Sequence, residues 1–182
     1  MDTHPTDPDD TIATLARWEA DEAAARARLA GAGIARPEQL AGLSGLAIFE
    51  AMARGELPHV PICDAADFWP IEFAPGRFVF QGRPSARHFN PMGTVHGGWV
   101  ATLLDSALGC AVQTTLSAEQ AYTTAELKVS FVRVLTPAAG LVRAEAQVIS
   151  AGRQLGFAEA RLVGPDGRLY AHATTTCLIF DR

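Results

Sequence analysis

Residues 98–115 read GWVATLLDSALGCAVQTT, and this stretch decides the fold. Its length and composition predict a helix that is apolar on nearly every side. Such a helix must be wrapped by other elements, because a surface position would leave an apolar side in water. Segments at about 122–134, 141–150, 154–163 and 168–180 follow it, and each alternates apolar with polar residues, as half-buried strands do.

The predicted strands share one apolar face. Its members are Ala125, Leu127, Val129, Phe131, Val142, Ala144, Ala146, Val148, Ala158, Ala160, Leu162, Leu169, Ala171, Ala173, Cys177 and Ile179. The alanines matter because small side chains let a thick element lie close against a sheet. Antiparallel sheets commonly cover one face and leave the other in water. We therefore predict an α+β fold in which a curved antiparallel sheet surrounds one central helix.

The first part of the chain has a different character. Helical periodicity predicts helices over about 11–29 and 45–54, whereas the acidic, Pro-broken residues 1–9 are predicted to be disordered. Proline also punctuates residues 57–75, which we expect to be irregular. A short strand is predicted at 78–80.

Charge divides the chain at a similar point. The protein has 182 residues and a net charge of −5, and residues 1–57 hold ten acidic against five basic side chains. Residues 58–182 hold ten of each sign and are neutral. The sequence therefore predicts an N-terminal helical extension, residues 1–56, ahead of one domain, residues 57–182. A nucleic acid partner is not expected, because phosphate binding needs a basic stripe.

Cysteine and histidine are scattered along the chain. Cys63, Cys110 and Cys177 form no CxxC pair, a pattern typical of buried thiols in a reducing compartment. The five histidines have no paired ligand spacing, so no metal site is expected. The longest apolar stretch, residues 99–112, is too short to span a bilayer and contains Asp105. These observations predict a cytoplasmic protein with no membrane partner.

Asp105 is the anomaly of the predicted central helix. Its neighbours are Leu103, Leu104 and Leu108, and burying an ionised carboxylate without a partner is costly. An arginine elsewhere in the fold would explain it as a structural ion pair. However, no Lys or Arg of the helix itself lies three or four residues away. A chemical role is the competing interpretation.

The loop before this helix, residues 89–99, reads FNPMGTVHGGW. Gly97 and Gly98 leave the first backbone N–H groups uncovered by side chains, and such bare amides stabilise developing negative charge. Taken alone, the pair favours a simple tight turn into the helix, with His96 and Asn90 bonding the backbone of the loop. Together with a buried Asp105, it predicts acyl chemistry, in which the amides polarise a carbonyl oxygen while the carboxylate attacks it or activates a water.

Geometry adds a prediction about assembly. Gly97 and Asp105 are eight residues apart, which is about 12 Å along one helix. A reacting carbonyl must lie about 3 Å from both the nucleophile and the oxyanion donor. One helix cannot supply both groups, but two antiparallel copies across a two-fold axis can. If this chemistry is right, the protein is a dimer with two composite sites.

The spacing of Asn90, the His-Gly-Gly at 96–98 and Asp105 resembles the signature of the PaaI-type hotdog-fold acyl-CoA thioesterases. The similarity continues through residues 122–131 and the closing hairpins, and it covers about residues 70–182. It implies a hotdog fold and hydrolysis of an acyl-CoA to the free acid and coenzyme A. It implies no cofactor besides the coenzyme A of the substrate, and a homodimer that often pairs into a tetramer.

The resemblance also implies site residues. The catalytic positions are Asp105 as nucleophile or general base, Gly97 as backbone donor to the thioester oxygen, Asn90 and His96 as residues that orient the carbonyl and shape the loop, and Thr124 as the residue that positions the water. The substrate-binding positions are Gly98 as a second amide, Trp99 and Phe89 in the acyl pocket, and Arg153 with Gln154 where relatives hold the nucleotide of coenzyme A. For the two aromatic residues a place in the core is the alternative, and for Arg153 an exposed hairpin charge.

Other functions remain open at this point. The same fold can serve as a non-catalytic acyl-CoA-binding or regulatory module, which would bind acyl-CoA without turnover. A hotdog dehydratase or hydratase would pair a histidine with the carboxylate, and His96 could reach Asp105 only across a dimer. The N-terminal extension could cover the domain or dock a partner. The acyl group is not readable from the sequence.

Overall fold

The computed structural model describes residues 7–182. Its helices are α1 (Pro8–Arg28), α2 (Pro37–Leu40), α3 (Gly45–Ala53), α4 (Pro61–Ala66) and α5 (Gly97–Gln113). Its strands are β1 (Ala30–Ala32), β2 (Pro58–His59), β3 (Phe68–Ala74), β4 (Arg77–Gly82), β5 (Gln120–Phe131), β6 (Val142–Ala151), β7 (Leu155–Val163) and β8 (Leu169–Asp181).

Six strands form one antiparallel sheet in the order β3-β4-β6-β7-β8-β5, and α5 packs against all of them. The α5 residues fully removed from solvent are Leu103, Leu104, Ala107, Leu108, Ala111 and Val112. On the facing strands, Ala144, Ala158 and Ala160 are also buried. The predicted architecture, a curved antiparallel sheet around one central helix, is confirmed.

The N-terminal helices agree with the sequence except at their start. The helix predicted at 11–29 runs from Pro8 to Arg28, and the Asp7 carboxylate caps it by accepting from the Asp9 amide at 3.0 Å. The predicted disorder of residues 7–9 is therefore wrong, and residues 1–6 of that prediction lie outside the described part of the chain. The second helix begins at Gly45 as predicted, with Ser44 as its cap.

Strand β3 was not expected, because its segment contains prolines. Pro70 lies inside the strand, where the missing N–H would break a ladder in the middle of a sheet. However, β3 is the edge strand, and the pairing with β4 shifts register between Pro70 and Glu72. Proline is tolerated at such an edge or bulge, so the predicted irregular stretch holds a strand instead.

The alternation predicted for β5 holds only in part. Thr124 pairs with Cys177 and Glu126 with Thr176, so Ala125 is the extra residue of a bulge and is exposed. A bulge shifts the inward phase of a strand by one residue. As a result, Thr124 before it and Leu127 after it both face α5. The prediction that Ala125 belongs to the buried face is wrong.

A buried polar network joins α1 to the outer face of the sheet. The side-chain amide of Gln81, which is fully buried, donates to the Trp18 carbonyl and to the Glu22 carboxylate at 3.0 Å each. Arg143 donates from Nε to Gln81 Oε1 at 2.9 Å and from Nη2 to Asp21 Oδ2 at 2.6 Å. Its guanidinium also lies 4.5 Å from the centroid of the Trp18 ring. These contacts tie the N-terminal extension to β4 and β6.

Replacing Arg143 with methionine is expected to lower the free energy of unfolding by about 2 kcal/mol, because the buried Gln81 Oε1 would lose its donor and the partly exposed Asp21 would lose its ion-pair partner. Urea unfolding measures the change, and hydrogen exchange in α1 locates it. The matched control is Arg161→Met on the exposed side of β7, which should be nearly neutral. Equal stability of the two variants would contradict the prediction.

Candidate active site

Asp105 lies in the middle of α5 and faces β5. Its Oδ1 accepts a hydrogen bond of 3.2 Å from the Thr124 hydroxyl, which the β5 bulge turns inward. Within residues 7–182, Asp105 forms no ion pair with any Lys or Arg. The structural explanation weighed from the sequence, neutralisation by an arginine, therefore does not apply to the described chain.

The neighbours of this carboxylate are neutral groups. Burial is the main cause that raises the pKa of the Tyr122 hydroxyl and of the Cys110 thiol, and the Asp105 charge adds a smaller contribution to each. Tyr122 reaches this position because Gly109 has no side chain: a Cβ there would lie 2.5 Å from the Tyr122 hydroxyl oxygen. Both groups stay uncharged near neutral pH, so neither of them neutralises the Asp105 charge.

The amino end of α5 offers one uncommitted amide. His96 is the N-cap residue, and its Nδ1 accepts from the Gly98 amide at 2.8 Å. The Gly97 amide donates to no acceptor within residues 7–182. The sequence expected two bare amides, whereas the fold leaves Gly97 free and occupies Gly98 with the neighbouring imidazole. Gly97 is the donor available to a carbonyl oxygen.

Asn90 fixes the loop that leads into the helix. Its Oδ1 accepts from the amides of Met92 at 2.9 Å and Thr94 at 3.2 Å, and its Nδ2 donates to Thr94 Oγ1 at 2.8 Å. These bonds employ both ends of the side-chain amide inside the loop. In this structure Asn90 therefore shapes the loop that presents Gly97, as one of its two predicted roles requires.

Gly97 and Asp105 lie on the same helix, as predicted. At about 1.5 Å per residue, the eight residues between them correspond to about 12 Å. No single carbonyl contacts both groups within one chain. The structure therefore brings together Asp105 and Thr124, and brings together Asn90, His96 and Gly97, but it does not join these two sets.

The predicted substrate-binding residues have different environments. Trp99 is only 7% exposed, donates from Nε1 to the Ala66 carbonyl at 2.7 Å and stacks on His88, so it belongs to the core. Phe89 is 37% exposed at the loop surface. Arg153 and Gln154 are exposed in the turn between β6 and β7, and Arg153 has no ion-pair partner among the described residues.

A cavity of about 310 Å³ lies beside the Gly97 amide, and the sequence reasoning missed most of its lining. Phe131, Arg133 and Tyr170 contribute to its walls. Phe131 was predicted to be buried, but its ring is 58% exposed and lies close to Gly97, where an added Cβ would be 3.0 Å from its Cζ. The sequence carries one signal of this cavity: the mostly apolar residues 131–135 continue past Phe131, where β5 ends, so their side chains are free to line a pocket.

Replacing Thr124 with valine is expected to reduce turnover by roughly tenfold or more, because a hydrogen bond to a charged group contributes about 1.5–3 kcal/mol. The shape of the side chain is kept, so the packing around position 124 should change little. Thr124→Ser is the matched control, since it retains the hydroxyl. Steady-state kinetics of the two variants check the prediction, and equal rates for them would contradict it.

Residues 92–171 match the thioesterase superfamily. The hotdog domain of this chain is similar to that superfamily over these residues. The resemblance predicted from the loop and helix motif is thereby confirmed. The match includes Gly97, Asp105 and Thr124, but not Asn90 or the N-terminal helices.

Individual relatives agree with this similarity. A Halobacterium salinarum protein, whose name proposes an esterase activity, is 43% identical over 75 residues, and the match covers 40% of this chain and 48% of that protein. This chain thus spans about half the length of that curated relative. The structure of a phenylacetic acid degradation-related protein of Ralstonia eutropha has a TM-score of 0.66 at 29% identity, covering 71% of this chain and 98% of that one.

A second solved structure is a mutant of the phenylacetic acid degradation protein PaaI of Thermus thermophilus. It has a TM-score of 0.59 at 28% identity, and the match covers 65% of this chain and 97% of that one. Both similarities support the hotdog fold of this domain. In neither case does the match cover the whole of the present chain.

Two findings bear on the other predictions. Within residues 7–182 no cluster of three or more His, Cys, Asp or Glu side chains has a geometry suited to a metal ion. Among the helices of the same residues, none combines the length and the apolar character needed to cross a membrane.

Proposed function

We propose that this chain hydrolyses an acyl-CoA thioester to the free acid and coenzyme A. The observation that carries the proposal is Asp105, a carboxylate that has no ion-pair partner among the described residues and is held by Thr124 on the central helix. The same helix begins with the unoccupied Gly97 amide, beside a cavity large enough for part of a ligand. The similarity of residues 92–171 to the thioesterase superfamily supports the same reaction class.

The geometry suits acyl transfer to water in the following way. Asp105 takes a proton from a water that the Thr124 hydroxyl helps to place, and the water oxygen forms a bond to the thioester carbon. The Gly97 amide donates to the carbonyl oxygen as that oxygen becomes negative. Collapse of the tetrahedral intermediate breaks the carbon–sulfur bond, and the coenzyme A thiolate leaves and takes up a proton. Direct attack by Asp105, followed by hydrolysis of the anhydride, is the other route open to this arrangement.

The proposal requires a homodimer. The separation of about 12 Å between Gly97 and Asp105 excludes a complete site within one chain. β5 lies at one edge of the sheet, so its outer side is open to a second copy. Two antiparallel copies related by a two-fold axis would place one Gly97 beside the other Asp105. Exposed apolar side chains on β7 and β8, such as Phe157, Leu178 and Phe180, support further pairing of dimers into a tetramer.

The direct test is a panel of acyl-CoA substrates with aromatic, medium-chain and hydroxylated acyl groups, read by the release of free thiol. The proposal predicts turnover of at least one of them. Binding of acyl-CoA with no thiol release across the panel would instead support a non-catalytic module. Hydration of an enoyl-CoA without thiol release would support a hydratase, although the His96 ring is already engaged at Nδ1.

Mixing two inactive variants tests the composite site. Asp105→Ala and Gly97→Pro chains, unfolded and refolded together, should recover about a quarter of the wild-type rate. Half of randomly assorted dimers contain one chain of each kind, and each such dimer has one site with both groups intact. Each variant refolded alone is the control. No recovery in a mixture shown by mass to contain mixed dimers would exclude a site shared between chains.

The remaining expectations complete the proposal. We expect coenzyme A to enter only as part of the substrate, with no other cofactor. The three cysteines are free thiols in this structure, which supports a cytoplasmic location.

A further inference from the structure

A second cavity, of about 390 Å³, lies where the N-terminal helices meet the domain. Its walls come from α3, β3 and β4 and are largely aromatic and aliphatic. They include Phe49, Met52, Ile71, Phe73, Phe78 and Phe80. Cavities of this size and character fall in the range of small-molecule sites, about 300–1,000 Å³.

This cavity is separate from the candidate active site. Its lining includes neither Asp105 nor Gly97 nor Thr124. The α5 residue that reaches it is Cys110, five residues beyond Asp105. At 3.6 residues per turn, five residues correspond to about 140° around the helix, so the two side chains leave different sides of α5.

The rim of this cavity carries a cationic side chain, Arg28, that is available to bind an anionic group. Arg28, at the carboxyl end of α1, is exposed and forms no ion pair or side-chain hydrogen bond within residues 7–182. The other arginine of the lining, Arg54, already makes two bonds of 2.8 Å with Glu56. A guanidinium beside an apolar cavity suits a ligand with a hydrocarbon body and a carboxylate end.

We propose that this cavity binds a free aliphatic carboxylic acid of medium length. The chain occupies the space between the phenylalanines, and the carboxylate lies at Arg28. An apolar space offers water few partners, so a hydrocarbon chain fills it at little cost. Since α1 and α3 contribute walls on one side and β3 and β4 on the other, the ligand holds the N-terminal helices against the domain. The proposal does not depend on hydrolysis at Asp105.

The test uses decanoic acid and decanol, each below its aggregation limit, with the full-length chain. Calorimetric titration should show one saturable decanoic acid site per chain, and the midpoint of thermal unfolding should rise with its concentration. Arg28→Gln should weaken the binding of decanoic acid about tenfold, the loss expected for one charge-assisted contact, and leave decanol binding unchanged. A loss of affinity for decanoic acid alone distinguishes a contact between Arg28 and the carboxylate from non-specific hydrophobic binding.

A second variant fills the space. Ala53→Trp places a large side chain in the cavity lining and should abolish the binding of both compounds, whereas Ala23→Trp on the exposed side of α1 should not. If Ala53→Trp does not fold, the comparison of acid and alcohol on Arg28→Gln still decides the question. Unchanged binding of decanoic acid in both Arg28→Gln and Ala53→Trp would overturn the proposal, and would place any observed ligand elsewhere, including the site of Asp105.

Discussion

Replacing Asp105 with alanine is expected to reduce the rate of thioester hydrolysis by about 10³-fold. The carboxylate is the proposed proton acceptor or nucleophile, and positioned acid–base groups typically contribute 10²–10⁴ to a rate. The fold should survive, because Asp105 forms no ion pair in the described chain and its removal relieves a partly buried charge. Free-thiol release measures the rate, and circular dichroism with thermal melting checks the fold.

Two further variants separate chemistry from packing. Asp105→Asn keeps the shape and an oxygen for the Thr124 hydroxyl, so it should be nearly as inactive as alanine if the charge matters. Glu145→Gln, an exposed carboxylate on the outer face of β6, is the matched control and should keep the wild-type rate. A near-wild-type rate for Asp105→Ala on a good substrate would remove the hydrolytic mechanism proposed above.

Gly97→Pro is expected to lower kcat by about 10²–10³-fold, because it deletes the only backbone donor left free at the start of α5 in residues 7–182. Gly97 is the first residue of the helix, a position at which proline is well accepted. The preceding His96 has φ −64° and ψ 134°, an extended conformation that suits a residue before proline. Steady-state kinetics separate kcat from KM, and thermal melting tests that the helix start is intact.

Gly97→Ala is the control for this variant. It keeps the N–H, and its added Cβ would lie 3.0 Å from Phe131 Cζ, the far end of an exposed ring that has room to turn. We expect a loss much smaller than that of proline. If alanine and proline reduce kcat equally, the effect is steric crowding at the cavity and the amide has no special role.

The fold could be predicted because two patterns in the sequence, an apolar helix and alternating strands, each have one physically favourable arrangement. A helix as apolar as residues 98–115 must be enclosed, and strands such as β6, which alternates apolar with other residues from 142 to 148, define which side of the sheet encloses it. The features that were missed depend on tertiary pairing. Pro70 is compatible with a strand only at an edge, and the bulge at Ala125 is visible only through its partner strand.

Part of the candidate site could also be predicted from the sequence. A carboxylate in a leucine-rich helix and a glycine pair at its start are anomalies within single segments, so Asp105 and Gly97 could be found by inspection. The capping of Gly98 by His96 could not, because it depends on the rotamer of one imidazole. The cavity beside Gly97 is lined by Tyr170 of β8 and by residues at the end of β5. These residues are far apart in the sequence, so no local pattern predicts that they line one cavity.

The Gln81–Arg143 network joins the N-terminal extension to the domain, so the domain is not independent of that extension. Removal of residues 1–56 would expose the Arg143 guanidinium and the Gln81 carboxamide, which are both almost completely buried in the full chain. A chain shortened in this way would expose Gln81 and Arg143 to solvent unless other side chains replaced them. The stability of the N-terminal helices and that of the sheet are therefore coupled through these two side chains.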